Sequence, residues 1–232
     1  MSAMLPRQLL LATVLVALVA ALPAGCAAPP ADETTPDPAT TDPADEPVEA
    51  VSLLGEELHA PALPEDFRQR QLELLAEARA DLQAAPDDVD ALIWVGRRTA
   101  YLGRYREAID VYTAGIAAHP DDARLYRHRG HRFLSTRQLD QAVEDLTRAA
   151  ELVAGRPDEI EPDGLPNERG IPTSTLQSNV FYHLGLAHYL RADFEKARDA
   201  YRRCLEVSTT PDNVVATAHW LYMTLRRLGL DD

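Results

Sequence analysis

Three basic side chains are spaced so that one face of a helix would carry them all. Arg124, Arg127 and His131 stand at positions i, i+3 and i+7, which lie on one side of an α-helix. A guanidinium group binds a carboxylate through two parallel hydrogen bonds, so this face suits acidic side chains or the carboxylate end of a peptide. The alternative is that these residues face solvent or pair with acids of the same chain. The candidate acids are Glu159, Glu161, Asp163 and Glu168.

Other reactive residue types do not form a catalytic or metal-binding pattern. The sequence contains no Gly-x-Ser-x-Gly segment, phosphate-binding Gly-rich loop, Cys-x-x-Cys pair or His-Glu-x-x-His segment. His128 and His131 could share a metal, but no acid or cysteine joins them at a suitable spacing. The neighbouring Arg127, Arg129 and Arg132 would also repel a cation. We therefore predict no catalytic residues, no metal site and no cofactor.

The charge balance argues against a protein that coats nucleic acids. The 232 residues include 37 Asp and Glu against 23 Lys and Arg, a formal net charge of −14, which a phosphate backbone would repel. Hydrophobic residues make up 46% of the chain, enough for one domain with its own core. Two cysteines, Cys26 and Cys204, are too few for a disulfide framework. For Cys204 we expect a buried, inert thiol.

Residues 1–25 have the pattern of an export signal. A basic residue precedes an apolar run over 9–22, which suits a signal-peptide core and is too short to span a bilayer. The run ends in Leu22-Pro23-Ala24-Gly25-Cys26, which resembles the lipobox of bacterial lipoproteins, although that family prefers Leu where Pro23 stands. The resemblance implies that Cys26 is lipidated and that the chain is anchored in the bacterial cell envelope, with the periplasmic face of the outer membrane favoured. Simple secretion without a lipid is the alternative.

Residues 26–50 have the composition of a tether. This stretch is rich in proline, threonine and acids and has no basic residue, so it has little apolar surface to bury and its charges repel one another. We expect it to be disordered and to hold a folded domain, residues 51–232, away from a membrane surface.

The folded domain repeats at an interval of 34 residues. The markers are Pro86 and Pro120, Gly96 and Gly130, and Ala108 and Ala142. The next glycine and alanine, Gly185 and Ala197, are both displaced by 55, which is one interval plus an insertion of 21. Apolar residues within the units recur at steps of three and four, which predicts helices.

These units resemble the tetratricopeptide repeat (TPR), a 34-residue helix–turn–helix unit. The matching residues are Leu92, Gly96, Tyr105, Ala108, Tyr112, Gly115 and Pro120 in the first unit, Tyr126, Gly130, Phe133, Leu139, Ala142, Leu146 and Ala149 in the second, and Phe181, Leu184, Gly185, Phe194, Ala197, Tyr201 and Cys204 in the third. Arg129 and His188 depart from it, because the family favours Leu and Tyr there. The resemblance implies an all-α fold: a right-handed α-solenoid of antiparallel helix pairs with about three full repeats, at 89–122, 123–156 and 178–211, and a flanking helix at each end.

Glycines inside the predicted helices indicate close helix crossings. A glycine in a helix interior costs about 1 kcal/mol relative to alanine, so packing must compensate at each one. We expect each to face a small residue of the paired helix, with large side chains filling the grooves around the crossing. The expected pairs are Gly96 with Ala108, Gly130 with Ala142, and Gly185 with Ala197.

Partial units and an insert complete the domain. We predict partial units at 65–86 and 212–230 and an inserted loop at 157–177. In helix 212–228 the inward stripe is predicted to be Val214, Ala218, Leu221, Leu225 and Leu228. A second stripe of Ala216, Trp220 and Met223 either packs within the monomer or pairs with another chain. We expect the loop to be ordered and to fold back over one face, using Ile160, Leu165 and Ile171 for packing; a flexible spacer is the alternative.

The TPR resemblance also implies a ligand groove. In that family the first helix of each unit lines the concave surface. Mapped onto this sequence, the floor is basic and the walls are polar and aromatic. The floor residues are Arg97, Arg124, Arg127 and His131, and the wall residues are Asn179, Tyr182 and Tyr189. The likeness to the carboxylate-clamp subgroup concerns charge and location only, because its Lys and Asn pattern is absent. If the inserted loop occupies the groove, it would compete with the ligand.

These observations predict a non-enzymatic protein–protein interaction scaffold in the cell envelope, with a peptide or protein segment as its partner. The partner would be acidic or end in a carboxylate, and the membrane would be contacted only through the lipid. One alternative is a structural subunit that forms homo-oligomers through helices 65–85 and 212–228. Another is an envelope enzyme whose site combines the 157–177 loop with His128 and His131.

Overall fold

The computed structural model describes residues 47–162, 165 and 167–230. The predicted signal peptide, Cys26 and most of the predicted tether lie outside the described residues. None of the helices in the described ranges combines the length and the apolar character that a bilayer crossing requires.

Helices dominate the described part of the chain. They are α1 (Glu65–Ala84), α2 (Val89–Tyr101), α3 (Tyr105–Ala118), α4 (Ala123–Ser135), α5 (Leu139–Val153), α6 (Leu176–Leu190), α7 (Phe194–Val207) and α8 (Pro211–Leu228). Two short strands, β1 (Ala50–Val51) and β2 (Glu57–Leu58), form an antiparallel hairpin before α1. The predicted fold class, an all-α array of antiparallel helix pairs, is confirmed.

The even-numbered helices form the inner layer of the array. Each helix packs against the next along the chain, and α2 also contacts α4, α4 contacts α6, and α6 contacts α8. No pair of odd-numbered helices in the described ranges makes contacts of this extent. In a curved stack the layer whose members lie closer together is on the inside. The concave surface is therefore lined by α2, α4, α6 and α8.

Side-chain caps fix where these inner helices begin. The Asp88 carboxylate accepts a hydrogen bond from the Asp90 amide at 2.9 Å, and Asp122 accepts one from the Arg124 amide at 3.0 Å. Helix α6 begins with a reciprocal capping box between Thr175 and Ser178. Each such cap contributes about 1 kcal/mol. The start of a helix also sets which of its residues face the groove.

Each interior glycine lies against a large side chain rather than the predicted alanine. The observed neighbours are Tyr112 for Gly96, Leu146 for Gly130 and Tyr201 for Gly185. A Cβ atom on Gly185 would lie 2.6 Å from Tyr201 Cε1, which is too close for two carbon atoms. The predicted partners Ala108, Ala142 and Ala197 are fully buried one helical turn earlier. The prediction is corrected because helical side chains lean toward the helix N-terminus, so the large residue covers the crossing.

A buried ion pair accounts for one departure from the repeat pattern. Arg129 donates to both carboxylate oxygens of Asp145, at 2.7 and 2.8 Å, and Asp145 is only 3% exposed. Burial raises the pKa of the Asp145 carboxyl, although the hydrogen bonds from Arg129 oppose this effect. Helix α4 continues through Arg129 without a break. An arginine where the repeat favours leucine therefore leaves the register of the helix unchanged.

The inward face of α8 differs from the predicted stripe. Thr217 and Thr224 are its fully buried residues, and Trp220 between them packs edge-on against Tyr189 at 5.2 Å. The predicted inward residues Val214 and Ala218 are exposed instead. Two apolar stripes compete on this helix, and the one that contains Trp220 buries the larger side chain. The first part of the predicted stripe is therefore exposed, whereas its remaining residues Leu221, Leu225 and Leu228 are half-buried.

The folded unit includes residues that the composition assigned to the tether. Glu49 and Ala50 are buried. The Glu49 carboxylate accepts a hydrogen bond from the Arg106 amide at 2.8 Å, and its carbonyl accepts one from Arg106 Nε at 3.0 Å. The predicted tether boundary at residue 50 is therefore too late by at least two residues, because this acid has a partner 57 positions away that composition cannot reveal.

Candidate functional site

The start of the inserted loop crosses the concave surface. Residues 159–161 run antiparallel to residues 174–176: Ile160 pairs with Thr175, and the Leu176 amide donates to the Glu159 carbonyl at 2.8 Å. We call residues 159–162 the resident segment. It lies over α2 and α4, as the prediction of an ordered, folded-back loop requires. The predicted apolar packing is wrong, because Ile160, Leu165 and Ile171 are all exposed; polar contacts hold the segment instead.

One carboxylate of the resident segment is held by two inner helices. Glu161 forms an ion pair with Arg127 of α4, in which Oε2 and Nη2 lie 2.6 Å apart, and the two side chains are 9% and 10% exposed. Asn179 Nδ2 of α6 donates to the same carboxylate at 2.6 Å and to Ser174 Oγ at 2.9 Å. Burial raises the pKa of the Glu161 carboxyl more than the attraction of Arg127 and Arg97 lowers it. The groove thus binds a carboxylate with a guanidinium and an amide.

A second arginine binds the backbone of the same segment. Arg97 Nη1 of α2 donates to the Pro162 carbonyl at 2.7 Å, and its Nη2 donates to the Tyr101 hydroxyl at 3.2 Å. The guanidinium carbon lies 4.5 Å from the centre of the Trp94 ring, close enough for a cation–π contact. Arg97 therefore binds the extended segment through a main-chain carbonyl, and Arg127 binds it through a side-chain carboxylate.

Arg124 does not join this arrangement as a free cation. Its guanidinium pairs with Asp122 at 2.6 Å and with Asp90 of α2. The hydrogen bonds that Arg124 donates to Asp122 raise the pKa of Arg124. The expectation that Arg124 is part of a basic floor open to ligand is corrected: the acid that caps α4 lies two residues away and neutralises it.

The predicted cation at His131 is a neutral imidazole in a buried cluster. The rings of His131 and His183 lie 4.1 Å apart, and His128 stacks on Tyr112 at 5.5 Å. Burial is the largest cause that lowers the pKa of each histidine, and the charge of Arg127 adds to it; the pKa of His183 falls to about 3. Arg127 Nη1 lies 2.9 Å from His128 Nδ1, so this nitrogen must be an unprotonated acceptor. Among the described residues, no group of His, Cys, Asp and Glu side chains is arranged to hold a metal ion.

The two wall tyrosines lie in an aromatic patch farther along α6. Tyr189 packs edge-on against both Trp220 and Phe194. Tyr182 contacts His183 at 5.4 Å and Tyr201 at 6.2 Å between ring centres. The prediction omitted Trp220 from the groove, although its place in the partial unit that begins at residue 212 matches the place of Arg97 in the unit that begins at residue 89. This alignment could have identified Trp220 as a groove residue from the sequence alone.

Open space remains beside the resident segment. A cavity of about 230 Å³ lies between the segment, α2 and α4, and its lining includes Ile93, Trp94 and Glu159. The Glu161 Oε1 atom is buried and has no hydrogen-bond partner among the described residues. The groove is therefore only partly filled by the chain itself.

Cys204 lies within the described residues, and its surroundings make it unreactive. Cys204 is fully buried, as predicted, with its Sγ atom 3.3 Å from the Ser178 carbonyl. Burial raises the pKa of the thiol, which disfavours the reactive thiolate.

Comparison with known proteins identifies the repeat and the fold. Residues 178–210 match the family model of the tetratricopeptide repeat. A thermophilic TPR protein of Thermus thermophilus, TTC0263, superposes with a TM-score of 0.51 at 20% identity, over 71% of this chain and 84% of that one. The MamA protein superposes with a TM-score of 0.50 at 16% identity, over 72% of this chain and 85% of that one. No curated protein matches. The chain therefore has the fold of a TPR solenoid, and its third helix pair matches that repeat in sequence as well.

Proposed function

We propose that this protein is a non-enzymatic interaction scaffold whose concave groove binds an extended acidic segment of a partner protein. The observation that carries the proposal is the resident segment itself. Arg97 holds its backbone, and Arg127 and Asn179 hold its carboxylate. An extended peptide from another protein could present the same two kinds of group in the same order.

The resident segment competes with any such partner. A short tether gives a bound segment an effective concentration in the millimolar range. A partner at about 10 µM with equal intrinsic affinity would then fill only about 1% of the grooves. The scaffold therefore favours partners that also use the aromatic patch around Trp220, which the resident segment does not contact in the described structure.

A peptide in trans tests this proposal. The probe is a fluorescent peptide with the sequence of residues 156–164, added to the full chain. Glu161→Arg places a second cation beside Arg127 and should free the groove, so we expect this variant to bind the peptide at least tenfold more tightly than the wild type. Helical circular dichroism confirms that the variant is folded; Glu161→Gln replaces it if it is not.

Two matched arginine substitutions identify the carboxylate site. In the Glu161→Arg chain, adding Arg127→Gln should weaken peptide binding by about 10- to 100-fold, because a charge-assisted hydrogen bond contributes about 1.5–3 kcal/mol. Arg124→Gln on the same helix should change it less than threefold, since Asp90 and Asp122 already neutralise that residue. Equal effects of the two substitutions, or no peptide binding by any variant, would refute the groove assignment.

The proposal places the scaffold in the bacterial cell envelope, held by a lipid on Cys26. Its support is the lipobox-like sequence that ends the apolar run. Metabolic labelling with radioactive palmitate tests it: the label should appear on the wild-type chain and disappear in Cys26→Ser. Equal labelling of both would remove the anchor from the proposal, and no labelling of the wild type would favour simple secretion.

The outer face of α8 supports a second candidate function, assembly into homo-oligomers. Val215 is 69% exposed and Tyr222 is 58% exposed on this face, where a further helix would pack in a longer array. Light scattering after size exclusion tests this candidate. An oligomer that Val215→Glu disperses would support a structural subunit, whereas a wild-type monomer would exclude it.

A further inference from the structure

A second cavity in the groove is lined by basic groups. It has a volume of about 120 Å³ and lies between α2, α3 and α4. Its lining contains no acidic residue, although the protein as a whole carries a formal charge of −14. We call it the arginine chamber. The residues with polar side chains that line it are Arg97, Arg127, Arg132, Tyr101, Tyr112, His128 and His131.

The arginine chamber has more positive charge than its described surroundings neutralise. Arg127 pairs with Glu161, whereas Arg97 donates to two neutral oxygens. Arg132 lies over the Tyr105 ring at 5.3 Å and forms no ion pair with any described residue. Three guanidinium charges and one carboxylate leave a local excess of two positive charges. A buried charge is costly unless a counter-ion accompanies it.

One hydrogen-bond donor of an arginine that lines the chamber also lacks a partner. Arg127 Nε is buried and has no acceptor among the described residues. Because His128 Nδ1 faces the guanidinium of Arg127, the neutral His128 ring carries its proton on Nε2. Burial lowers the pKa of Arg132, His128 and His131 alike, and nearby arginines add to the effect. An anion would offset the repulsion between these positive groups and accept from the free donor, whereas a cation would add to the repulsion.

We propose that the arginine chamber binds a free dianionic oxyanion of phosphate or sulfate size. Its volume corresponds to about four water molecules, which suits the five heavy atoms of a tetrahedral oxyanion. Two negative charges match the local excess of two positive charges, and guanidinium groups recognise such oxyanions through paired hydrogen bonds. This site does not depend on the peptide proposal, because it lies beside the resident segment and uses Arg132, which the segment does not touch.

Thermal unfolding of the full chain in mild detergent tests the site with inorganic phosphate as the probe. Phosphate replaces chloride at constant ionic strength and pH 7.5. At ten times its dissociation constant, phosphate should raise the Tm by about 3 °C, and sulfate should act similarly. Acetate, a planar monoanion, should give a clearly smaller shift. No phosphate-specific shift, or an equal shift with acetate, would overturn the proposal.

Arginine variants separate a binding role for Arg132 from a structural one. Arg132→Gln should abolish the phosphate effect, and its Tm without phosphate should be no lower than that of the wild type, because the substitution removes a positive charge that partial burial disfavours and that forms no ion pair with a described acid. Arg202→Gln, on the exposed face of α7, should keep the full effect. A phosphate shift that persists in Arg132→Gln would place the ion elsewhere and refute the site.

A second variant guards against misfolding of the first. Arg97 is half-buried at the groove surface, and Arg97→Gln should weaken phosphate binding by about tenfold through loss of one charged hydrogen bond. An unchanged affinity in this variant would also count against the chamber. Peptide binding by the Glu161→Arg chain, measured without phosphate, reports separately on the proposed scaffold function, so either proposal can fail alone.

Discussion

Removing the guanidinium of Arg127 is the most informative perturbation of the groove. Arg127→Met keeps the length and apolar stem of the side chain but leaves Glu161 without its counter-ion. Both side chains are about nine-tenths buried, and Nη2 and Oε2 are 2.6 Å apart. Burial already raises the pKa of this carboxyl with the arginine present. Without it, the carboxylate must bind a proton or leave the groove.

The contacts of the resident segment set the size of the effect. Breaking a buried ion pair by removing one partner costs about 3–5 kcal/mol. The loss cannot exceed the cost of releasing the segment from the groove. Release breaks the hydrogen bonds from Asn179 to Glu161 and from Arg97 to Pro162, each of which contributes about 1–2 kcal/mol net. We therefore expect Arg127→Met to lower the free energy of unfolding by about 3 kcal/mol at pH 7.5. For a domain of this size that corresponds to a Tm lower by about 6–12 °C.

The expected deficit shrinks as the pH falls. A carboxyl whose folded pKa is raised contributes stability that is fully present below its unfolded pKa and is lost as the pH rises through the folded value. Loss of Arg127 raises the pKa of Glu161 further, so the variant gains about 1.4 kcal/mol relative to the wild type for each pH unit between its own Glu161 pKa and the lower pKa of the wild type. The three neighbouring histidines act in the same direction, because Arg127 is one of the charges that lower their pKa values.

Urea unfolding at pH 7.5 and pH 5.0, followed by circular dichroism, measures these differences. The double variant Arg127→Met with Glu161→Gln should recover most of the lost stability, since neither charge of the pair is then left buried without the other. Arg148→Met is the matched control: its ion pairs with Asp121 and Glu151 are exposed and should contribute less than about 1 kcal/mol. A double variant no more stable than Arg127→Met, or a deficit that grows at pH 5.0, would refute the reasoning.

Three further predictions concern the buried interior. Gly185→Ala should lower the free energy of unfolding by about 1–2 kcal/mol, because the added Cβ would lie 2.6 Å from Tyr201. Tyr201→Leu in the same chain should restore part of the lost stability. A gain in stability to urea from Gly185→Ala would contradict the packing. Arg129→Leu should cost about 3 kcal/mol by leaving Asp145 buried without its partner, whereas adding Asp145→Leu should bring stability back to near the wild-type value, as measured by thermal unfolding. The pKa of His183 is lowered to about 3, so its contribution is present above pH 6.5 and is lost as the pH falls. Between pH 7.5 and 5.5 the His183→Gln variant should therefore lose about 1.4 kcal/mol less stability than the wild type. An unchanged pH dependence would show that folding does not lower the pKa of this ring.

The repeat interval predicted the helical framework because backbone packing imposes it. The 34-residue spacing of glycine and alanine marks where paired helices approach, and α2 to α7 lie where that spacing requires. The details of packing at those crossings were not predictable from spacing alone, since the direction in which a helical side chain leans decides which residue covers the glycine. On α8 two apolar stripes were available, and the partner for Trp220 that selected one of them lies on α6.

The candidate site was predicted in location but not in electrostatic state. Helical spacing correctly placed Arg124 and Arg127 on the inner face of α4. It could not show that Asp90, 34 residues away, neutralises the first, or that Glu161 reaches the second. Arg132 stands five positions after Arg127, outside the i, i+3, i+7 pattern, and lines the arginine chamber because a long side chain can reach around the helix. Counting charges along one helix face therefore missed Arg132 and included Arg124, whose charge is already neutralised.

The position of the insert explains why one segment can contact α2, α4 and α6 together. The loop leaves after α5 and returns at the start of α6, so its two ends pair beside the capping box that begins α6. The resident segment is thereby held next to Asn179 and directed across α4 toward Arg97. Backbone bonds to residues 174–176 hold the base of the segment, so a partner must displace the contacts of the Glu161 side chain and the bond from Arg97 to the Pro162 carbonyl. An insert at any of the three other junctions that precede an inner helix would end beside a different helix and could not bring Glu161 to Arg127 and Asn179 at once.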